Sequence, residues 1–550
     1  MSTIFRSARY ANTLYKNVRL RMGEEQRSKQ TVRIDMQTSS SANRGSMKRT
    51  PSKMQPTEGL NRKNEAESVE SRDNIALASF DKLMESDRVV QLTILGLSVH
   101  LAYEKYRSEE WFALQFPMVG SVLAAYVVNM FMFAIKSKLG VKSFPSFNTI
   151  YLFYLQFMLS ALFAPQNLLL NTVLAFSLSD ISLFFRIPLQ LIFLLIGDNG
   201  SGAIETYAKA LALNYFFVFG LYKASQLKSL DRTECHMFAL LCTNILILVE
   251  SDSIYFQVLQ VCFATFCALV TITSALSYGL KYSNASQWLR TALLLPIIVV
   301  GFPYSIQRNL TINNVEPFTW LMDYIGSSTT RSKIMIIWLG SALLLFPSVF
   351  ALKSNWSLNT SRKVWHFAIL PLLIPAILMD SNFVKIALAG TVNLFLIVEY
   401  IRFLHIYPVG HYLDKHLRSF ADFRDEKGPI IISYLYFIIG ISLPFLMNGS
   451  IIGIISLGVG DSLASIVGKK LGRFRWPNTL KTFEGTFAFI AATTIATVTM
   501  KSHFDFFTEI STSNMVIVCF LAGILEGNST LNDNLLIPTF MLIIIEIFKL

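Results

Sequence analysis

The chain has 550 residues, of which 53% are hydrophobic and only 15% are charged, and its formal net charge is +12. Soluble globular proteins carry about 25% charged residues, so this composition, with a mean hydropathy of +0.46, excludes a protein whose whole surface faces water. It predicts a polytopic membrane protein. A basic chain can also bind nucleic acid, but no other feature of the sequence supports such a partner, and we predict none.

Residues 1–88 differ in composition from the rest of the chain. Residues 1–53 contain 12 Lys and Arg against 3 Asp and Glu, and no Phe, Tyr or Trp occurs from Arg27 to Asp73. Such a segment cannot bury enough apolar surface to offset its ordering entropy. The sequence therefore predicts a disordered basic tail on the cytosolic side, where its charge orients the chain or attracts anionic lipid.

From about Val89 onward, apolar runs alternate with short polar connections. Membrane-spanning β-strands do not give such continuous apolar runs, so we predict an all-α membrane bundle of about 15–17 transmembrane helices. The run 168–197 is long for one span and is interrupted at Arg186-Ile-Pro188, so it can also form two spans. We divide the bundle into an N-terminal multi-span region, 89–352, and a C-terminal region, 353–550, that holds the candidate site.

The orientation follows from the Lys and Arg content of the short loops. The connections 353–363, 405–429 and 468–484 are all basic and are separated by two predicted spans each, so we predict that they share the cytosolic face. By the same alternation, loop 528–534 falls on that face and loop 305–333 on the opposite one.

The most informative segment, residues 458–485, reads GVGDSLASIVGKKLGRFRWPNTLKTFEG. Asp461 lies at the cytosolic end of a predicted span, where an ionisable group is costly and indicates a functional site. One helix face then carries the small residues Ala464, Ser465, Gly468 and Gly472, which let a ligand or a second backbone approach closely. A helix-packing seam explains the same stripe, and both interpretations stand.

The loop after Asp461 is strongly basic, and its cations are Lys469, Lys470, Arg473, Arg475 and Lys481. Clustered Lys and Arg beside glycine-rich backbone suit a polyphosphate, although membrane topology alone also explains the charge. Topology does not explain Glu484, a carboxylate among cations just before the next span. Because Mg²⁺ on a nucleotide usually takes one or two carboxylates plus phosphate oxygens, we predict that Asp461 and Glu484 hold it.

Two further groups are candidates on the same face. Asp533, between the last two predicted spans, suits a carboxylate set for phosphoryl transfer, although a polar turn is the simpler explanation. Arg362, Lys363 and His366 stand at the entry of a span, with Arg362 and His366 on one helix face. They suit either phosphate contacts or a cytosolic anchor.

Other polar features are predicted to be structural. Glu399 and Arg402, three positions apart, suit an ion pair at a helix end better than catalysis. The five cysteines lie in or beside apolar runs without a CxxC pair, so we predict neither a disulfide framework nor a zinc site.

The combined pattern resembles the dolichol kinase family, within the wider group of CTP-using polyprenol kinases and phosphatidate cytidylyltransferases. The resemblance covers roughly Ser361 to Leu550. The residues that carry it are Gly460-Asp461-Ser-Leu-Ala464-Ser465 with Gly468 and Gly472, Arg475-Trp476-Pro477, Lys481-Thr482-Phe483-Glu484-Gly485, Asp533-Asn534 with Pro538, Ser361-Arg362-Lys363-Val-Trp-His366-Phe367 and Glu399-Tyr400-Ile401-Arg402.

The resemblance implies a kinase that transfers the γ-phosphate of CTP to the terminal hydroxyl of dolichol in the endoplasmic reticulum membrane. The product, dolichyl phosphate, serves protein glycosylation, and the CTP site faces the cytosol. The implied partners are dolichol, CTP and the lipid bilayer, and the implied cofactor is Mg²⁺ or another divalent cation. The sequence indicates no oligomeric state.

The resemblance also implies roles for individual residues. Asp461, Glu484 and Asp533 are the catalytic carboxylates and the Mg²⁺ ligands, and Arg362, Lys363 and His366 are weaker phosphate contacts. The CTP-binding residues are Gly460, Ser465, Gly468, Lys469, Lys470, Gly472, Arg473, Arg475, Trp476, Pro477, Lys481, Thr482, Glu484 and Gly485.

One position departs from the family pattern, and several alternatives stay open. The family usually has two lysines before Thr-Phe-Glu-Gly, whereas this chain has Leu480 at the first, which puts one phosphate contact in doubt. A phosphatidate cytidylyltransferase, or a kinase for another polyprenol or phytol, fits the same pattern. A transporter with Asp461 and Glu399 as coupling sites fits less well, because transporters often contain internal repeats and we find none.

Overall fold

The structure, a computed structural model, describes most of the chain after the predicted tail. That tail, residues 1–88, lies outside the described residues apart from 86–88, which begin the first helix. The described residues are 86–136, 148–197, 204–249, 251–352, 358–418, 421, 425, 428–477, 479–529 and 531–549.

Every regular element within these ranges is helical, apart from two isolated β-bridges, which confirms the predicted all-α bundle. Seven helices (α2, α8, α9, α12, α13, α16 and α17) are long and apolar enough to cross a membrane, and α3, α5, α15 and α18 are shorter apolar helices. In chain order the helices are α1 (Ser86–Tyr106), α2 (Glu110–Lys136), α3 (Asn148–Phe163), α4 (Leu168–Ala175), α5 (Leu183–Gly197), α6 (Ile204–Ser225), α7 (Arg232–Thr243), α8 (Ile254–Tyr282), α9 (Gln287–Asn309), α10 (Pro317–Gly326), α11 (Thr329–Leu352), α12 (Leu358–Met379), α13 (Ser381–Phe403), α14 (Val409–Leu417), α15 (Ser433–Asn448), α16 (Ile452–Lys470), α17 (Phe483–Phe504), α18 (Thr512–Asn528) and α19 (Asp533–Lys549).

The long apolar run 168–197 forms two helices, α4 and α5, but the break lies earlier than predicted. Pro188 is inside α5, whereas the chain leaves the helical path near Ser179. Two arginines satisfy backbone carbonyl groups there: Arg186 Nη1 donates to Ser179 O at 2.8 Å, and Arg232 Nη2 donates to Leu178 O at 2.5 Å. The predicted loops 305–333 and 405–429 contain the helices α10 and α14.

The largest buried cluster joins helices from both ends of the chain. Its members include Ile94 on α1, Tyr151 on α3, Leu174 on α4, Phe489 on α17 and Phe540 on α19. The N-terminal helices and the last helices therefore share one apolar core. The division of the chain at 352/353 stays a prediction.

Helix α16 is positioned by close backbone approach on two sides. Its middle turns, Ser456–Asp461, are π-helical, a local widening that often occurs at functional sites. A Cβ atom added at Gly458 would lie 2.9 Å from Leu370 on α12, and one added at Gly460 would lie 2.5 Å from Thr493 on α17. Glycine is thus required for α12 and α17 to pack against the turn that carries Asp461.

Candidate functional site

Asp461 lies at the centre of a buried ion cluster between α12 and α16. Its Oδ2 atom is 2.5 Å from Lys363 Nζ and 3.1 Å from His366 Nδ1. The Lys363 contact is a hydrogen bond, whereas the histidine contact lacks hydrogen-bond geometry. We call Lys363, His366 and Asp461 the Asp461 cluster.

The residues of the Asp461 cluster are held firmly by their surroundings. Asp461 is 8% exposed, and Lys363 and His366 are equally buried. The imidazole of His366 stacks on Phe437 of α15, with ring centroids 4.1 Å apart. Both contacts of Asp461 use Oδ2, so Oδ1 has no partner among the described side chains and can accept a further cation.

More positive charge surrounds this cluster. The ammonium of Lys469, at the end of α16, lies close enough to Lys363 and Arg362 for their charges to repel it. Asp461 is the one acidic side chain in contact with Lys363 in the part of the chain that the structure describes. Asp461 balances the charge of Lys363, and Lys469 adds positive charge beside the pair, which attracts a phosphate group.

Lys481 belongs to a second ion cluster, in which two carboxylates face one ammonium. Its Nζ atom lies 2.6 Å from Glu526 Oε1, 2.8 Å from the Glu526 carbonyl oxygen and 3.2 Å from Asp533 Oδ2. Burial by itself lowers the pKa of the Lys481 ammonium, but the carboxylates of Glu526 and Asp533 outweigh it and raise that pKa above its usual range. We call Lys481, Glu526 and Asp533 the Lys481 cluster.

The two clusters are neighbours, because Asp461 is close enough to Glu526 for their carboxylates to interact electrostatically. The sequence analysis missed Glu526, which is 6% exposed at the end of the apolar helix α18. The argument that identified Asp461, an ionisable group at the end of a span, applies to Glu526 equally well.

Glu484 does not join either cluster. Its carboxylate accepts hydrogen bonds from the backbone N–H groups of Arg473, at 2.9 Å, and Phe474, at 3.2 Å. It thereby closes the base of a hairpin between α16 and α17. In the hairpin, Phe483 N–H donates to Phe474 O at 2.9 Å and Trp476 N–H donates to Lys481 O at 3.0 Å.

The stripe of small residues forms a helix-packing seam. A Cβ atom at Gly472 would lie 2.2 Å from Gly468 O and 2.6 Å from Thr482, and one at Gly485 would lie 3.0 Å from Ala464 O. The glycines thus let α16 and the start of α17 approach to backbone contact. Thr482 also caps α17 through its hydroxyl, which accepts from Gly485 N at 3.1 Å.

The remaining residues of the predicted CTP site divide between the inside and the outside of the hairpin. Trp476 is inside: its ring stacks on Phe483, with centroids 4.0 Å apart, and Nε1 donates to Thr486 at 2.9 Å. Ser465 is half-buried on α16. The exposed side chains are Lys469, Lys470, Arg473, Arg475 and Pro477.

The three predicted carboxylates have separate partners: Asp461 contacts Lys363, Glu484 contacts backbone amides and Asp533 contacts Lys481. No group of three or more His, Cys, Asp or Glu side chains in the described ranges is arranged to hold a metal ion. Mg²⁺ on a nucleotide needs only one or two carboxylates, and Asp461, with its free Oδ1 atom, fits that requirement.

The predicted Glu399–Arg402 ion pair is confirmed. Arg402 is fully buried and donates to both carboxylate oxygens of Glu399, at 2.6 and 2.8 Å, and to Asp414 at 2.5 Å. Its Nη2 atom also reaches Pro429 O at 2.6 Å. The pair therefore fixes the chain after α13 against α14 and the segment before α15.

Comparison with known proteins gives consistent matches. A sequence model described as the dolichol kinase N-terminal domain matches residues 45–250, a region in which the sequence analysis found no motif. The dolichol kinase of Saccharomyces cerevisiae is 43% identical over 417 residues, which cover 74% of this chain and 78% of that protein.

More distant relatives have the same name. The dolichol kinase of Schizosaccharomyces pombe is 32% identical over 257 residues, and that of Homo sapiens is 31% identical over 282 residues. These matches cover 42% and 46% of this chain and half of each relative. No solved structure matches the chain.

Proposed function

The chain belongs to the dolichol kinase family, and from this premise we propose that it transfers the γ-phosphate of CTP to the terminal hydroxyl of dolichol. The reaction takes place in the endoplasmic reticulum membrane, with CTP bound from the cytosol. Its product is dolichyl phosphate for protein glycosylation.

The position of the ion clusters supports a reaction between an acceptor in the membrane and a donor in water. Dolichol is a long isoprenoid alcohol that stays in the bilayer, whereas CTP is an anion that stays in water. The reacting groups can meet only where a membrane-embedded helix ends. Lys469 lies at that end of α16, Asp461 lies further inside the helix, and the hairpin follows the helix directly.

The observation that carries the proposal is the buried Asp461 with Lys363, Arg362 and Lys469 close to it. These three cations bind and orient the triphosphate, because Lys and Arg donors form charge-assisted hydrogen bonds with phosphate oxygens. Lys363 also holds Asp461 in one position at 2.5 Å. Phosphoryl transfer depends mainly on such positioning and charge neutralisation.

Asp461 would hold Mg²⁺ through Oδ1, together with phosphate oxygens of the nucleotide. When bound, the ion neutralises charge that develops on the phosphates. The chain itself contributes the fixed carboxylate, the cations around it and the half-buried Phe437 that keeps His366 against Asp461. Glu484 and Thr482 contribute by holding the hairpin and the start of α17 in place.

Product analysis tests the proposal. Purified protein is incubated with dolichol and with CTP, ATP or GTP labelled on the γ-phosphate, and the lipid and nucleotide products are separated. We expect labelled dolichyl phosphate and CDP from CTP alone. A cytidylyltransferase would instead release pyrophosphate and leave the cytidylyl group on the lipid, and that result would refute the kinase assignment.

A further inference from the structure

The hairpin between α16 and α17 has a defined outer face. The bridge between Arg475 and Thr482, the two backbone hydrogen bonds around it and the Glu484 carboxylate at its base fix the described residues 471–477 and 479–483 in one conformation. Lys481 and Trp476 point toward α18: the ammonium of Lys481 contacts Glu526, and the ring of Trp476 lies against Gly527.

The outer face exposes large apolar side chains beside Arg473 and Arg475, which is unusual for a loop in water. Leu471 is 65% exposed, Phe474 is 70% exposed and Leu480 is 85% exposed. The charged Lys481 is instead turned inward, against Glu526 and Asp533. Several large apolar side chains exposed together on one short hairpin indicate an interaction surface.

This apolar surface is continuous with the surface of the membrane-spanning helices. Phe483 and Phe487, one turn apart on α17, are also exposed and extend the same apolar strip along the helix. Lys470 and Arg473 are exposed beside it on the hairpin side. An apolar strip that ends among cations fits the boundary between acyl chains and anionic headgroups.

We propose that the outer face of the hairpin, Leu471, Phe474 and Leu480, inserts into the bilayer surface, with the adjacent cations at the level of anionic lipid headgroups. Basic side chains extend toward the headgroups while apolar ones enter the acyl region. The bilayer, rather than a second protein, is then the partner of this surface.

The insertion has a consequence that rests on the proposed function. The hairpin begins one residue after the helix that carries Asp461 and contains the paired Lys481. Anchoring it at the membrane surface holds the phosphate-binding cations at the depth where the hydroxyl of a polyprenol lies. A loosened hairpin should therefore weaken use of the lipid acceptor more than binding of the nucleotide.

Fluorescence in vesicles tests the insertion directly. The five native cysteines are changed to Ala, Leu480→Cys is labelled with the fluorophore NBD, and the protein is reconstituted in phosphatidylcholine with a minor fraction of phosphatidylserine. We expect blue-shifted emission and quenching by headgroup-region spin-labelled lipid that is at least about threefold stronger than for a control label. The control is Thr311→Cys, on an exposed polar turn.

Water-like emission from position 480, equal to that of position 311, would overturn the proposal. Quenching that rises with protein concentration and requires a second labelled copy would also overturn the proposal. The outer face of the hairpin would then pack against another copy of the chain and not against lipid. This measurement needs no kinase activity, so it separates a failure of the insertion from a failure of the proposed function.

Steady-state kinetics test whether the insertion affects use of the lipid acceptor. The variant Leu471→Ser/Phe474→Ser/Leu480→Ser changes only exposed side chains. In vesicles, we expect its KM for dolichol to rise about fivefold, while its KM for CTP and its turnover in detergent micelles stay within about twofold of the unmodified protein. Equal kinetics in vesicles would show that the apolar face has no part in acceptor use and would contradict its anchoring role.

Discussion

The two ion clusters of the candidate site contain similar side chains but differ in charge balance. The Asp461 cluster sets one carboxylate against Lys363 and His366, with Arg362 and Lys469 close by. The Lys481 cluster sets one ammonium against two carboxylates and a carbonyl oxygen. A polyphosphate is therefore attracted to the first cluster, whereas the second satisfies its own cation.

The difference changes the expected role of Lys481. An ammonium group has three N–H donors, and Lys481 has three acceptors within 3.2 Å. It can bind a phosphate only by giving up one of these contacts. A motif lysine is thus a direct phosphate ligand only if its neighbours leave a donor free. We therefore expect Lys363 and Lys469, rather than Lys481, to contact the triphosphate.

The largest effect is expected from Asp461→Asn. The change leaves the ammonium of Lys363 buried without its counter-charge and removes the proposed Mg²⁺ ligand, so we expect turnover to fall by about a thousandfold. Formation of labelled dolichyl phosphate by the purified variant measures it, and membrane extraction checks that the protein is still inserted. Turnover equal to that of the unmodified protein would rule out the role of Asp461.

A smaller effect, on stability, is expected from Lys481→Met. The variant leaves the buried Glu526 without its partner, and the partial exposure of Lys481 and Asp533 limits the cost to about 2 kcal/mol of unfolding free energy. Adding Glu526→Gln to the same chain should recover most of that loss. Kinase activity should fall in both variants, because the hairpin loses its contact with α18.

Thermal unfolding in detergent measures the stability change. The matched control is Lys549→Met at the other end of α19, where Lys549 pairs with Glu546 at 2.7 Å and with the exposed Glu509. We expect a smaller loss of unfolding free energy for Lys549→Met, because Glu546 and Glu509 are more exposed to water than Glu526. If the double change Lys481→Met/Glu526→Gln is no more stable than Lys481→Met, the two residues are not coupled as the distances indicate.

The sequence predicts the architecture well because apolar run length is a local property of the chain. It also indicates Asp461, since an ionisable group at the end of a span is visible within one helix. It does not show which cation meets which carboxylate. Lys363 and Asp461 are 98 positions apart and Lys481 and Glu526 are 45 apart, so these pairs exist only through the packing of α12, α16, α17 and α18.

Because packing cannot be read from the sequence, Glu484 was predicted to be a metal ligand. A carboxylate next to cations in the sequence suggests a metal ligand, but the hairpin fold brings backbone amides of Arg473 and Phe474 to it instead. For the stripe of small residues on α16, the sequence allowed either a bound ligand or a packed helix. In the structure α17 packs against this stripe, and Thr482 and Gly485 fill the space beside it.

Variants at Glu484 separate these two roles. Glu484→Gln keeps a side-chain oxygen that can accept from both amides, so we expect nearly unchanged turnover. Glu484→Ala removes the acceptor, loosens the hairpin and should raise the KM for CTP about tenfold. Steady-state kinetics at varied CTP measure both. Loss of turnover in Glu484→Gln would favour a direct metal or catalytic role over the hydrogen bonds to the hairpin.

The smallest effect is expected at the position where the chain departs from its family pattern. Leu480 is 85% exposed and points away from Lys481, Glu526 and Asp533. A lysine there would extend into the headgroup region rather than toward the ion clusters. In detergent micelles, Leu480→Lys should therefore change the KM for CTP by less than about twofold. A several-fold tighter KM would mean that the side chain at 480 reaches the triphosphate, and that the hairpin turns its other face to the nucleotide when CTP binds.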